Sequence, residues 1–167
     1  QLRDLKLDRK TLVIWTSDHG DQMGEHDLFL KFNMREASVH VPLLIDDPDV
    51  GAGTCSELVE HIDLFPTICE RVDAEIPDSV QGRSLMPLMK GETPDDWRDA
   101  VFSQIGDIQM VRTAEEKLNV YEGESGEYFD LRDDPQEFQN RIGDDTVSDR
   151  VRGLENRMKE WESVGTN

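Results

Sequence analysis

The stretch Thr11-Leu-Val-Ile-Trp-Thr-Ser-Asp18-His19-Gly20-Asp21-Gln-Met-Gly24-Glu25-His26-Asp27-Leu-Phe-Leu-Lys31 decides how the rest of the chain is read. Thr11 to Thr16 is a continuous β-branched and aromatic run, which predicts a strand buried on both faces. Asp18 and His19 follow at its carboxyl end, where open α/β sheets gather their functional groups. Gly20 and Gly24 allow tight turns just beyond. The reading is therefore a strand that delivers an Asp-His pair to a loop, with a second His and a Lys downstream.

Working outward, residues 1–10 read as the end of a helix, with Leu2, Leu5 and Leu7 on one face. Met34 to Ser38 predicts a helical turn, and Val39 to Ile45 a second strand with Pro42 near an edge or bulge. Asp46 to Gly53 is a loop by composition. Apolar residues at Ile62, Leu64, Phe65, Ile68, Cys69 and Val72 predict a helix over Glu60 to Val72, with Pro66 in its first turn. Pro77 to Gly82 is a loop. Ser84 to Lys90 is a short helix that Gly91 stops. From residue 97 the character changes to short β-like runs, Ala100–Gln104, Ile108–Arg112, Leu118–Tyr121 and Tyr128–Leu131, which predict a small antiparallel sheet. Val151, Leu154, Met158 and Trp161 recur at helical spacing, so Ser148 to Trp161 predicts an amphipathic closing helix.

A chain of 167 residues fits one domain and can bury a core. It carries 37 acidic and 18 basic residues, twelve of the latter Arg and six Lys, for a net charge of -19. The acids are scattered among hydrophobic segments, unlike a disordered acidic tail. That pattern suits a solvated surface in high salt, which screens self-repulsion, and predicts a halophilic source. An ordinary acidic protein is the plainer alternative. Like charge repels nucleic acid and anionic membranes, so neither is an expected partner. No apolar run has transmembrane length, and no signal peptide stands at the start. The chain begins with Gln rather than Met, so residues ahead of it are expected and the compartment stays open. Cys55 and Cys69 form no metal-binding spacing and read as small core residues.

In a loop, the adjacent Asp18 and His19 can converge on one ion. A carboxylate oxygen with an imidazole nitrogen suits Mn or Zn, and Mg or Ca where the other ligands are carboxylates. The bland alternative is that Asp18 caps a turn and His19 rests against it. A Lys31 ammonium near a metal can hold the oxygens of a tetrahedral anion. His26 can donate a proton to a leaving alkoxide. Each also has an ordinary reading, Lys31 as a solvated charge and His26 as a turn residue. His40 and His61 sit in apolar stretches and read as hydrogen-bonded, packed histidines. Arg83 and Arg112 read as surface ion-pair partners. Asp63 is placed to cap the Pro66 helix.

Thr16 to Lys31 resembles the second metal-site segment of type I sulfatases. Close relatives with the same segment are phosphonate and phosphodiester hydrolases of the alkaline-phosphatase superfamily. The resemblance continues through Arg35-Glu-Ala-Ser-Val-His-Val-Pro-Leu-Leu-Ile45, Val59-Glu-His-Ile-Asp-Leu-Phe-Pro-Thr-Ile68, Gln81-Gly-Arg-Ser-Leu85, Met110 to Leu118 and Glu127 to Glu137. It implies an α/β sulfatase-type fold, here in part. Residues 1–95 would be the last portion of the catalytic domain, and 96–167 a small subdomain of antiparallel sheet plus closing helix. It also implies that Asp18 and His19 ligate one divalent cation (Ca, Mg or Mn) and that Lys31 binds the sulfate oxygens and the nucleophile. His26 would touch the substrate or support the residues that do, and Arg112 would be structural.

The departure from the family is the nucleophile. Such enzymes use a Cys or Ser in a Cys/Ser-x-Pro/Ala-x-Arg pattern, oxidised to formylglycine, and no such pattern stands here. The partner Asp-Asp metal pair is also absent. The reading is a sulfuric ester hydrolase acting on a small-molecule or carbohydrate sulfate ester. This chain would carry part of its site and be inactive alone, with the formylglycine expected ahead of it. The rivals are a phosphonate or phosphodiester hydrolase, and a degenerate relative used for binding or assembly. A chain of this extent is also expected to expose an apolar patch or to self-associate.

Overall fold

The computed structural model describes residues 1–165. In chain order its elements are β1 (Val13–Thr16), β2 (Gln22–Met23), β3 (Phe29–Leu30), α1 (Glu36–Val39), β4 (Leu43–Asp46), α2 (Leu64–Arg71), α3 (Met86–Met89), β5 (Ala100–Ile105), β6 (Ile108–Thr113), β7 (Glu116–Tyr121), β8 (Glu124–Asp130) and α4 (Ser148–Gly165). The fold is α/β, with a small antiparallel sheet and a closing helix. The chain divides into two compact units. One holds Gln1–Thr16 and Leu43–Arg98. The other holds Ser17–Pro42 with the chain from Asp99 onward.

In the first unit β1 and β4 form an antiparallel ribbon, Val13 opposite Asp46 and Thr16 opposite Leu43. The strand expected to be buried on both faces is not. Trp15 is 60% exposed, and Val13 and Leu44 are exposed with it, because β1 pairs with β4 alone among the described residues. The expected helix at residues 1–10 is also absent. Only a single 3-10 turn forms at Asp8–Lys10, and Leu5 is 61% exposed, so no apolar surface rewards the ordering of that stretch.

The helix foreseen over Glu60 to Val72 forms as a 3-10 turn at His61–Asp63 running into α2, with Pro66 in its first turn. Asp63 is fully buried; it makes no side-chain cap bond to α2 itself, but closes a capping box with Glu60 at the head of the 3-10 turn that leads into it. Its Oδ2 accepts the Glu60 amide at 2.7 Å, its Oδ1 accepts the Arg83 amide at 2.8 Å, and the Arg98 guanidinium grips both oxygens. Arg83 itself donates to the Asp96 carbonyl rather than pairing with a carboxylate. Cys69 is buried, but Cys55 is exposed, which corrects its expected core role; both thiols are free. His61 is exposed, 3.4 Å from the Thr16 hydroxyl, not packed in a core.

In the second unit β5, β6, β7 and β8 form an antiparallel meander in that order. Period-2 alternation sorts its two faces. Phe102, Val111, Leu118 and Tyr128 stand opposite one another across the four strands and face α4. The helix answers with Val151, Leu154 and Met158, the spacing read from sequence, and Trp161 stacks on Phe102 at 5.2 Å. Each fully buried large side chain here contributes roughly 1.5–3 kcal/mol. The β7–β8 turn, Glu122-Gly123, has positive φ at both residues, the geometry that matches a two-residue hairpin to strand twist.

The opposite face carries charge. Arg112 and Lys117 are register partners, and both reach Glu36 of α1, at 3.1 and 2.9 Å. His40, expected to be packed, is instead exposed and pairs with Glu36 at 3.1 Å. Burial works to raise the Glu36 pKa, but the His40 hydrogen bond and the Lys117 and Arg112 charges outweigh it and hold that carboxyl far below the usual range. A depressed carboxyl stabilises the fold fully above its ordinary value of 4.5, and loses that contribution as pH falls through the lowered folded value. His40 acts in the opposite sense. Its hydrogen bond to Glu36 raises it, so its contribution is complete below 6.5 and is lost as pH climbs through the raised value. Stability measured by urea unfolding is therefore expected to decline below pH 4.5, and Glu36→Gln to flatten that decline. An equally steep acid slope in the variant would remove Glu36 from the account.

Candidate functional site

The loop after β1 is shaped by its own side chains. The Ser17 hydroxyl donates to the His19 carbonyl at 2.7 Å, and the Asp18 Oδ1 accepts the His19 amide at 3.0 Å. The Asp18 side chain is 85% exposed, and its Oδ2 lies 3.5 Å from His19 Nε2. His19 Nδ1 stands 2.8 Å from the Gly20 carbonyl. A carbonyl only accepts, so Nδ1 carries the proton and Nε2 presents a lone pair. Metal-binding histidines are held in this way, by a backbone carbonyl on the far nitrogen.

Lys31 reaches the same point from twelve residues away, because β2 and β3 form a short hairpin with Gln22 opposite Leu30. Its ammonium donates to His19 Nε2. The hairpin is bent hard. Gly24 has φ 117, and His26, Asp27 and Leu30 all adopt positive φ. Asp and His visit that region more readily than Leu, so Leu30, immediately before Lys31, is the true outlier. Such conformations cost on the order of 1–3 kcal/mol each and persist only where surrounding contacts enforce them.

Gly20 seats the loop on α1. Its amide donates to the Ser38 carbonyl at 2.9 Å, and a Cβ built there would meet the Ala37 carbonyl oxygen at 2.0 Å. Gly20→Ala is therefore expected to cost about 1–3 kcal/mol through overpacking against backbone, and to displace the Asp-His pair. Unfolding of the variant checks this. Wild-type stability would mean that the loop yields freely.

Asp18, His19 and Lys31 are thus brought together, and His26 is held elsewhere. The His26 ring meets Phe138 at 4.9 Å, and its Nδ1 stands 3.4 Å from Arg35 Nη1. Sequence reading gives no reason to single out Arg35, or Asn33, whose carboxamide accepts from Ser38, Gln22 and the Arg35 amide. Their only signal is position, a few residues past Lys31. Among the described residues no group of three or more His, Cys, Asp or Glu could hold a metal ion. The donor chemistry of Asp18 and His19 fits two ligands of a divalent cation. The open carboxylate and Nε2 lie side by side, a cation would take the Nε2 lone pair that Lys31 now occupies, and any further ligands must come from outside these residues. No described helix is long and apolar enough to cross a membrane.

Comparison with known proteins adds to this geometry. Residues 24–163 match the family described as N-sulphoglucosamine sulphohydrolase, C-terminal. Arylsulfatase K of Xenopus laevis is 33% identical over 175 residues, covering 95% of this chain and 32% of its own length. The phosphonate monoester hydrolase SpPMH from Silicibacter pomeroyi superposes with a TM-score of 0.90 at 29% identity, covering 97% of this chain and 36% of that one. BT4656, solved in complex with its substrate D-glucosamine-2-N,6-O-disulfate, superposes with a TM-score of 0.83 at 27% identity, covering 97% of this chain and 37% of that one. The chain spans about a third of the length of the curated relatives it matches.

Proposed function

This chain belongs to the family described as N-sulphoglucosamine sulphohydrolase, C-terminal, and on that premise we propose that it carries part of the metal and anion site of a sulfuric ester hydrolase. The observation that carries the reading is the meeting of the Asp18 carboxylate, the His19 Nε2 lone pair and the Lys31 ammonium on one loop. Asp18 and His19 would hold a divalent cation, Ca, Mg or Mn. When bound, such an ion supplies Lewis-acid polarisation of the ester's anionic oxygens. Lys31 binds those oxygens as a point charge and offsets the negative charge that grows on them. His26, held by Arg35 and Phe138, would touch the substrate through a donated hydrogen bond or support the residues that do. The nucleophile, a formylglycine, and the remaining ligands are supplied by residues outside this chain. Alone, the chain turns over no sulfate ester and binds the cation weakly. The substrate is a small-molecule or carbohydrate sulfate ester, a class supported by the sulfated sugar bound to one structural relative.

A second reading, a phosphonate monoester or phosphodiester hydrolase, is favoured by the likeness to the Silicibacter pomeroyi enzyme. Comparing kcat/KM for an aryl sulfate and an aryl phosphonate, in a protein that carries this segment together with a nucleophile, separates the two. The cation site is tested on the chain itself by titrating Mn into it and following the histidine resonances. His19 is expected to broaden first, and Asp18→Asn or His19→Ala to weaken binding tenfold or more. Equal broadening at the exposed His40 and His61 would sink the assignment.

A further inference from the structure

His26 sits in a left-handed backbone conformation and is held by a single cation, Arg35. Every donor that Arg35 turns toward this corner is committed. One Nη1 hydrogen goes to the Glu137 carbonyl, and the other faces His26 Nδ1 at 3.4 Å. Nη2 pairs with Glu127 Oε1, and the guanidinium lies 4.8 Å over the Phe129 ring. Glu127 is oriented in turn, because its Oε2 accepts from the Tyr121 hydroxyl at 2.7 Å and from Asn119 at 3.0 Å. Glu137, itself at positive φ, accepts the Glu36 amide on Oε2 at 2.7 Å. A rigid chain of contacts thus runs from the sheet to His26.

A guanidinium has donors and no acceptor. An Nδ1–H facing it would set donor against donor, so the His26 proton belongs on Nε2. His26 Nε2 has no hydrogen-bond partner among the described residues. We propose that Arg35 is a positioning residue that fixes His26 as the Nε2–H tautomer and presents that N–H as a hydrogen-bond donor to an anionic or ester oxygen. The proposal deepens the reading above in which His26 faces the substrate, and it assigns the two histidines opposite tautomers: Nδ1–H for His19, whose lone pair serves a cation, and Nε2–H for His26, whose proton serves an anion.

The test is a long-range proton–nitrogen correlation spectrum of the imidazoles in the full chain. The expected wild-type result is a proton on Nε2 of His26 and on Nδ1 of His19. Arg35→Met is expected to lose the His26 preference, giving a mixture of tautomers, while the His19 signals and those of β5 and β6, which Arg35 does not touch, stay in place. A wild-type proton on His26 Nδ1 would overturn the proposal, and so would a folded Arg35→Met chain that keeps Nε2–H. If the variant does not fold, the wild-type spectrum decides alone. The outcome is independent of turnover. Failure of a protein carrying this segment to cleave any sulfate ester would sink the functional reading and leave the tautomer result standing.

Discussion

Replacing Lys117 with Met is expected to destabilise the C-terminal sheet unit by ~3–5 kcal/mol, the usual cost of leaving a buried charge without its partner. Lys117 is 0% exposed, and its ammonium lies 2.9 Å from Glu36 Oε1 and 2.8 Å from Glu137 Oε1. The contact with Glu137 is one of charge rather than an aligned hydrogen bond, since Oε1 has no hydrogen-bond partner by geometry. Removing the cation leaves Glu137, 1% exposed, as an uncompensated carboxylate. Arg112 remains beside Glu36 but does not pair with Glu137. Domains are stable by only about 5–15 kcal/mol, so a loss of this size is a large fraction of the total. Urea unfolding of the variant measures it. A loss below ~1 kcal/mol would mean that water or a rearranged arginine reaches the cluster. Replacing every member of the cluster with apolar groups, by contrast, is often neutral.

Lys31→Gln, in a protein that carries this segment with its nucleophile, is expected to lower kcat for a sulfate ester by roughly 100–1000-fold, the range seen when one preorganised stabiliser of growing negative charge is removed. Gln retains donors but no charge, so the loss falls on kcat more than on KM. The geometry supports this, because the Lys31 ammonium already turns toward His19 at the loop where an anion would sit. Lys31→Arg is not a neutral control, since a planar fork replaces a point charge. A tenfold or smaller effect would remove Lys31 from the site.

The two ends of the chain differ in how readily they could be read. The β5–β8 meander and α4 were legible because period-2 and period-3.6 patterns coincide with a buried face. Val111, Leu118 and Tyr128 are buried opposite Val151, Leu154 and Met158. Leu2, Leu5 and Leu7 show a comparable pattern yet make no helix, since spacing rewards ordering only when a surface receives the side chains. Trp15 shows the same limit from the other side. Its strand forms where expected and remains open on one face.

Residue type and order along the chain were enough for the strand-loop-helix sequence, for the family resemblance, and for Asp18, His19 and Lys31 as chemically apt neighbours. These are properties of residue type and short-range spacing, which take effect where a packed surface receives the side chains. Which groups actually meet was decided only in three dimensions. The β2–β3 hairpin returns Lys31 to His19 while His26 is turned onto Arg35 and Phe138. Asp63 binds Arg98 from the head of its helix, and Lys117 crosses to Glu36 and Glu137. Such pairings join residues far apart in the chain, and burial forces each charge to find a partner wherever the fold brings one. No pattern in the linear sequence encodes that choice.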